Sequence, residues 1–314
     1  MSNKQQYISI CEANPQIPVF LQYRWMDAVC TDWDVAIAMN GDKVAGVWPY
    51  NREQKMGVSI VRTPKLTPYQ GPFVLYPQDL KASNKDGFEH ETIAALIKQL
   101  PAAKVWDVST LPGQKQAGLL KANGFGIDTR QTFLIDLLQE EQALLGNMKE
   151  SLRRNIKAGS TELSIEQDNA ALTTLFEYQK HTLDKKDVMQ AHSLADMQKL
   201  MQACIGNNCG AIYTAKQGAD TLAIVWNLWD ANCSYYFMGA QKPANDNYRA
   251  MPALLWHCMK EAKQRGNTSF DLEGSMDQGV EKFFRSFGAK RELYLVLQKN
   301  DSLIWKLKSI LLRG

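Results

Sequence analysis

The stretch SFDLEGSMDQGVEKFFRSFGAK (269–290) holds the densest set of groups able to do chemistry. Asp271 ends an apolar strand and Glu273 follows two residues on. Strand alternation puts both carboxylates on one side. A carboxylate there can orient or take up a proton, and Asp271 can equally accept hydrogen bonds from the backbone of the next loop. The sequence leaves both roles open. Val280, Phe283, Phe284 and Phe287 then fall at i, i+3, i+4 and i+7, an apolar helical face ended by Gly288, with Lys282 and Arg285 as cations on the same helix.

Two further sets of cations stand out. Arg249 lies near the start of a helix, where the dipole disfavours a cation, so it is either a surface side chain or an anion ligand. The segment NMKESLRRNIKAGS (147–160) reads as a basic amphipathic helix, with Leu152 and Ile156 on one face and Arg153, Arg154 and Lys157 on the others. It is a solvated linker helix or an anion-binding one. Trp226, Trp229, Tyr235, Tyr236 and Phe237 cluster on strands and read first as core. Tyr235 and Tyr236 point to opposite faces, so at most one of them meets a ligand. His181 and His192 stand alone on or near helices, the usual setting of a surface or core histidine.

The elements that must position these groups come next. The chain of 314 residues suggests two domains, and 45% hydrophobic residues suffice for a sizeable core. A net charge of +3 is too small to argue for nucleic acid, though it suits an anionic small molecule. The N-terminus shows no apolar signal-peptide core and no stretch is long and apolar enough to span a bilayer, so a cytoplasmic location is expected. The six cysteines form no C-x-x-C, and no metal site is expected.

VAIAM (35–39) and KVAGVWPY (43–50) read as a hairpin, 59–64 and 71–76 as extended pieces, 90–100 as a helix, and 104–112 as a strand. A short helix at 116–126 and a closing strand at 129–137 follow. The same order recurs: a hairpin at 210–229, a strand at 234–240, a helix from Tyr248, a strand at 269–274, a short helix, and a closing strand at 291–297. Asp107 and Asp271 are 164 positions apart, and Phe125 and Phe287 are 162 apart. A near-constant offset across separate elements indicates duplication of one α/β unit. We expect an N-terminal domain over 1–146, a C-terminal domain over 147–298, and an amphipathic helix over 299–314 that docks on the protein or touches a membrane peripherally.

The order FLQYRWMDAV (20–29), YQGPF (69–73), NGF (123–125), SLRRNIKA (151–158), YYFMGA (235–240), FDLEGS (270–275) and GVEKFFRSFG (279–288) resembles the FemAB-like aminoacyltransferases and the BioF2-like, GNAT-type acetyltransferases over nearly the whole chain. The resemblance implies an α/β (α+β mixed) fold of two tandem GNAT-like domains, each a mostly antiparallel mixed sheet flanked by helices. It implies transfer of an acyl or aminoacyl group to an amine, in some members onto a peptidoglycan precursor, with acyl-CoA or aminoacyl-tRNA as co-substrate. In such folds two neighbouring strands splay apart and the reactants lie in the gap, mainly in the second domain.

Carried onto this chain, the resemblance makes Asp271, Glu273, Lys282 and Arg285 candidate catalytic groups. Arg249, Tyr235, Tyr236, Arg153, Arg154, Tyr69 and Gln70 become candidate substrate contacts. Two departures matter. Phe284 stands where the family often has a lysine, and helical spacing turns Lys282 and Arg285 ~100–200° away from it. The segment GAQKPANDNYRAMP (239–252) also lacks the G-x-G that cradles a pyrophosphate. Both departures favour the alternative of a non-catalytic binding protein on the same scaffold.

Overall fold

The structure is a computed structural model, which describes residues 2–244, 247–274 and 277–302. Of the C-terminal helix expected over 299–314, residues 303–314 lie outside the described residues. The chain forms two compact units: residues 1–131 with 293–314, and residues 132–292.

Unit 1 opens with α1 (Asn3–Ala13) and α2 (Tyr23–Val29). The predicted hairpin follows as β1 (Trp33–Asn40) and β2 (Lys43–Asn51), joined through Gly41 at φ +60°. Next come β3 (Glu53–Lys55), β4 (Val58–Arg62), β5 (Phe73–Val74), α3 (Lys85–Ile97), β6 (Val105–Ser109) and α4 (Ala117–Ala122). β5 extends the hairpin, while β4 pairs with β6 in parallel. Ile93 and Leu96 of α3 are buried against Trp48 and Trp106.

β7 (Gly126–Asp136) carries the chain into unit 2. There follow α5 (Glu141–Asn147), α6 (Glu150–Glu162), β8 (Ser164–Gln167), α7 (Leu172–Asp184), α8 (Leu194–Gly206), β9 (Gly210–Gln217), β10 (Asp220–Trp229), β11 (Cys233–Gln241), α9 (Ala250–Gln264), β12 (Ser269–Asp271) and α10 (Gln278–Arg285). β13 (Lys290–Asn300) returns the chain to unit 1. The sheet order in unit 2 is β7-β12-β11-β10-β9-β8, antiparallel except for β11 with β12.

The duplication is visible as a repeated plan, since in each unit a strand after the hairpin pairs in parallel with the strand that follows a long helix: β4 with β6 across α3, and β11 with β12 across α9. The closing strands, however, are exchanged. β13, from the end of the second repeat, pairs antiparallel with β6, while β7, from the end of the first, pairs antiparallel with β12. The units therefore divide at 131/132 and 292/293, where the sequence reading placed its boundaries at 146/147 and 298/299. The strand pattern predicted where each closing strand lies but carries no information on which sheet completes it.

The core of unit 2 is an aromatic and aliphatic layer in which α9 is the central helix, with Leu254, Leu255, Cys258 and Met259 fully enclosed. α6 packs on α9 through Leu152, Ile156 and Gly159. A Cβ on Gly159 would sit 2.8 Å from both Ala253 Cβ and the Arg249 carbonyl oxygen. Replacing Gly159 with Ala gains ~1 kcal/mol of helix propensity and forces two helix backbones apart. Overpacking of this kind costs ~1–3 kcal/mol. We expect Gly159→Ala to lower Tm, and calorimetry checks it; an unchanged or raised Tm means the helices slide without cost.

Candidate functional site

β11 and β12 run parallel for three rungs: Cys233 with Ser269, Ser234 with Phe270, and Tyr235 with Asp271. β11 then continues along β10 as far as Gln241, whereas β12 ends. This is the splay that the resemblance leads one to expect. The chain leaves β12 through buried Leu272 and enters Glu273 at φ +55°, a left-handed conformation that costs a glutamate energy.

Asp271 holds that conformation. Its Oδ1 accepts the Glu273 backbone N–H at 2.7 Å and the hydroxyl of Thr132 on β7. Asp271 and Thr132 are buried. Of the two roles open to Asp271, the structure supplies the hydrogen bond to the following loop. The strand stops at Asp271, so alternation does not govern the Glu273 carboxyl, which a turn at φ +55° places.

That carboxyl is poorly satisfied. Its Oε1 is buried and has no hydrogen-bond partner among the described residues. Burial, and then the charge of Asp271, push the Glu273 pKa well above the usual carboxylate range. Tyr236, the next residue along β11 after the last rung, has its phenol pKa raised by burial and then by Glu273.

A cleft of about 680 Å³ opens in unit 2 at Tyr236. Met251, Val280, Phe283 and Phe284 give it an apolar floor, and Gln179 to Lys186 of α7 and the turn after it form a wall. Gly239 lets the floor close up, since a Cβ there would lie 2.1 Å from the Tyr236 hydroxyl. Lys185, Lys186, Lys242, His181 and His192 ring the opening. Lys186 pairs with Asp277 at 2.6 Å and Lys242 with Asp220 at 2.8 Å, both at the surface.

The other predicted residues are scattered. Phe284 is 3% exposed, edge-on to Tyr236 with ring centroids 5.9 Å apart, and belongs to both core and cleft floor. Lys282 and Arg285 are exposed on α10, and Arg285 faces Glu281 at 3.6 Å. Tyr235 is buried and donates its hydroxyl to Asp230 at 2.7 Å, so Tyr236 is the member of the pair that meets the cleft.

Arg249 sits at the N-terminal cap of α9 and is bound to both Glu162 carboxylate oxygens at 2.6 Å. That partner offsets the unfavourable dipole without any ligand. Arg153 donates to the Gly146 carbonyl at 3.2 Å, closing the end of α5, and Arg154 faces Glu150 at 3.5 Å on the exposed side of α6. These are the linker-helix contacts of the plainer reading. In unit 1, Tyr69 is buried edge-on to Phe20 and Tyr294, and buried Gln70 contacts the Met26 sulfur at 3.8 Å. Both are core residues there.

Sequence reasoning set aside His181 and His192, yet both line the cleft. Nothing in their neighbourhood signals this, because the contact is made by folding the turn after α7 against the end of β11. Among the described residues no group of histidine, cysteine and carboxylate side chains could hold a metal ion, and no helix is long and apolar enough to cross a membrane.

With this geometry in hand, the comparisons place the chain. Residues 144–285 match the family model of the acetyltransferase (GNAT) domain. The whole chain superposes on FemX with a TM-score of 0.67 at 14% identity, covering 98% of each chain. It superposes on the C-terminal domain of a putative lysylphosphatidylglycerol synthetase from Agrobacterium fabrum at 0.58 and 12% identity, covering 95% of this chain and 93% of that one. A tandem GNAT protein from the clavulanic acid biosynthesis pathway matches at 0.52 and 8% identity over 94% of each. No curated protein matches the sequence. The match to the GNAT domain is confined to residues 144–285, and the chain as a whole has the fold of FemX and of a tandem GNAT protein.

Two outcomes follow from the site. Phe284→Leu keeps the core filled, whereas Phe284→Lys, which restores the family's lysine, drives an ammonium into it. We expect the lysine variant to lose at least ~3 kcal/mol and the leucine variant about half that or less, read from denaturant unfolding. The second concerns Glu273. A carboxyl whose folded pKa is raised costs nothing electrostatically while it stays protonated in both states, below about pH 4.3, and the cost grows as pH rises through the folded value. The Tm advantage of Glu273→Gln over wild type should thus be near zero at about pH 4 and widen toward alkaline pH; a constant difference would show that Glu273 is solvated.

Proposed function

We propose that the chain is an N-acyltransferase that moves an acyl or aminoacyl group onto an amine, with the reacting centre at the splay of β11 and β12. The observation that carries this reading is the half-buried Glu273, whose Oε1 is buried and lacks a hydrogen-bond partner among the described residues, beside Tyr236, which lines the cleft. An amine attacks an acyl carbon only when it is neutral, and it must shed a proton as the new C–N bond forms. A carboxylate with a raised pKa takes that proton more readily than an ordinary one. The leaving group of the donor departs as the tetrahedral intermediate collapses. The apolar floor excludes water that would hydrolyse the donor.

The donor is acyl-CoA or an aminoacyl-tRNA, and the acceptor an amine of a peptidoglycan precursor or related metabolite. The missing G-x-G and the engagement of Arg249 with Glu162 weigh against the usual pyrophosphate cradle. The fold shared with FemX weighs toward an aminoacyl donor. Such work suits a cytoplasmic protein that meets the membrane peripherally if its acceptor is lipid-linked. One observation favours a second reading: Phe284, at the position of the family's lysine, is packed as core, as expected of a binding protein that has lost the chemistry.

A thermal-shift panel of acyl-CoAs, free CoA, UDP-linked precursors and charged tRNA separates these. A ligand at ~100 times its Kd stabilises by ~2.7 kcal/mol. We expect a shift, and we expect Glu273→Gln to keep that shift while lowering kcat ~100-fold or more. A retained shift with no turnover in the wild type supports the binding protein, and silence across the panel removes the acyltransferase reading.

A further inference from the structure

We propose that Thr132 is a positioning residue for Glu273, acting through Asp271. Three linked observations support it. The Thr132 hydroxyl donates to Asp271 Oδ1, and the same oxygen accepts the Glu273 backbone N–H at 2.7 Å. Glu273 is held at φ +55°, which a glutamate does not keep without a restraint. Thr132 is 0% and Asp271 1% exposed, so the restraint is not shared with water.

The linkage fixes where the Glu273 carboxyl goes. A carboxylate oxygen accepting from the N–H two residues on forms an Asx-type turn. That turn ends β12 and sends the chain back toward Tyr236. Without the hydroxyl, Asp271 is left with fewer donors in a buried position and is free to rotate toward another partner. The turn then loses its clamp, and Glu273 relaxes to an ordinary right-handed or extended backbone with its carboxyl toward solvent. Thr132 lies in β7, the strand contributed by the first repeat, and it reaches Asp271 because β7 pairs with β12, placing Leu134 opposite Asp271. The exchange of closing strands thus supplies the residue that sets the turn.

The groups that face this carboxyl pair are Tyr236 beside Glu273, and Tyr235 and Cys233 beside Asp271. The phenols and the thiol have their pKa values raised by burial. They stay neutral across the range tested, Asp230 facing Tyr235 and Cys233 is common to every background compared, and the Glu273 carboxyl is the group whose change is read.

The inference rests on the reading of Glu273 as the proton acceptor, but its test needs no substrate. The pH-dependent Tm gain of Glu273→Gln measures how buried the Glu273 carboxyl is. That gain is compared in the full-length wild-type, Thr132→Val and Thr132→Ser backgrounds. Valine keeps the shape and removes the hydroxyl, while serine restores it. We expect most of the alkaline gain to disappear with valine and to return with serine. An equal gain in all three backgrounds overturns the inference. If Thr132→Val does not fold, Asp271→Ala provides the same comparison from the acceptor side, again expected to lose the gain and overturned if it keeps it. Failure of the acyltransferase reading would appear separately, as silence in the ligand panel with the pH response intact.

Discussion

The parallel ladder between β11 and β12 stops after Tyr235 and Asp271 because the next residues of the β12 chain turn away through Leu272 and a left-handed Glu273. A longer ladder would use the backbone of β11 for hydrogen bonds to β12 and bring the two strands to the normal ~4.8 Å spacing, leaving no room for a ligand. Ending it early leaves Tyr236 and Gly239 facing open space on that side. The apolar face of α10 and Met251 of α9 then become the floor of a cleft, where a completed sheet would have enclosed them as core. Cleft, carboxyl and aromatic floor are one consequence of where three residues of strand give out.

The carboxyl in that turn is kept at a cost. A packed interior would be more stable with an amide or an apolar group at Glu273, because a buried acceptor without a donor forfeits a hydrogen bond it had in water. Its neighbours are bonded: Asp271 accepts from Thr132 and from the Glu273 backbone, and Tyr235 donates to Asp230. Glu273 is the carboxylate among the buried side chains that lack a partner, and a carboxyl left so beside a cleft is the pattern of a site under functional constraint.

Much of the fold was legible because it is written in local periodicity. The hairpin of β1 and β2, the stripe that becomes α9, and the strand–helix–strand order of both repeats all appear as apolar spacing bounded by turn residues. The resemblance added the tandem GNAT plan. What stayed hidden is non-local. No pattern within 126–136 or 290–300 says which sheet each strand completes, so the unit boundaries were read from sequence continuity. Of the candidate residues, Tyr236 lines the cleft, Glu273 lies beside Tyr236, and Asp271 clamps the turn that holds Glu273. The arginines were chosen for charge, yet their carboxylate and carbonyl partners Glu162, Glu150 and Gly146 are scattered along the chain, and three-dimensional pairing decides their role. Thr132 carries no signal at all in the sequence, being one hydroxyl in an ordinary strand.

The exchanged strands also bear on how the molecule is made. Unit 2 is one continuous segment, 132–292, set inside a unit 1 that is interrupted by it. A ribosome releases β6 well before β13, so β6 waits for its antiparallel partner while all of unit 2 emerges. Domains that follow one another along a chain mature from the N-terminus onward. Here the inserted unit has its whole sequence first, and the host unit closes last. Until β13 arrives, the edge of β6 is an unpaired strand of the kind that recruits other chains. The strand of unit 1 that is translated last is therefore also the one that covers the edge of β6.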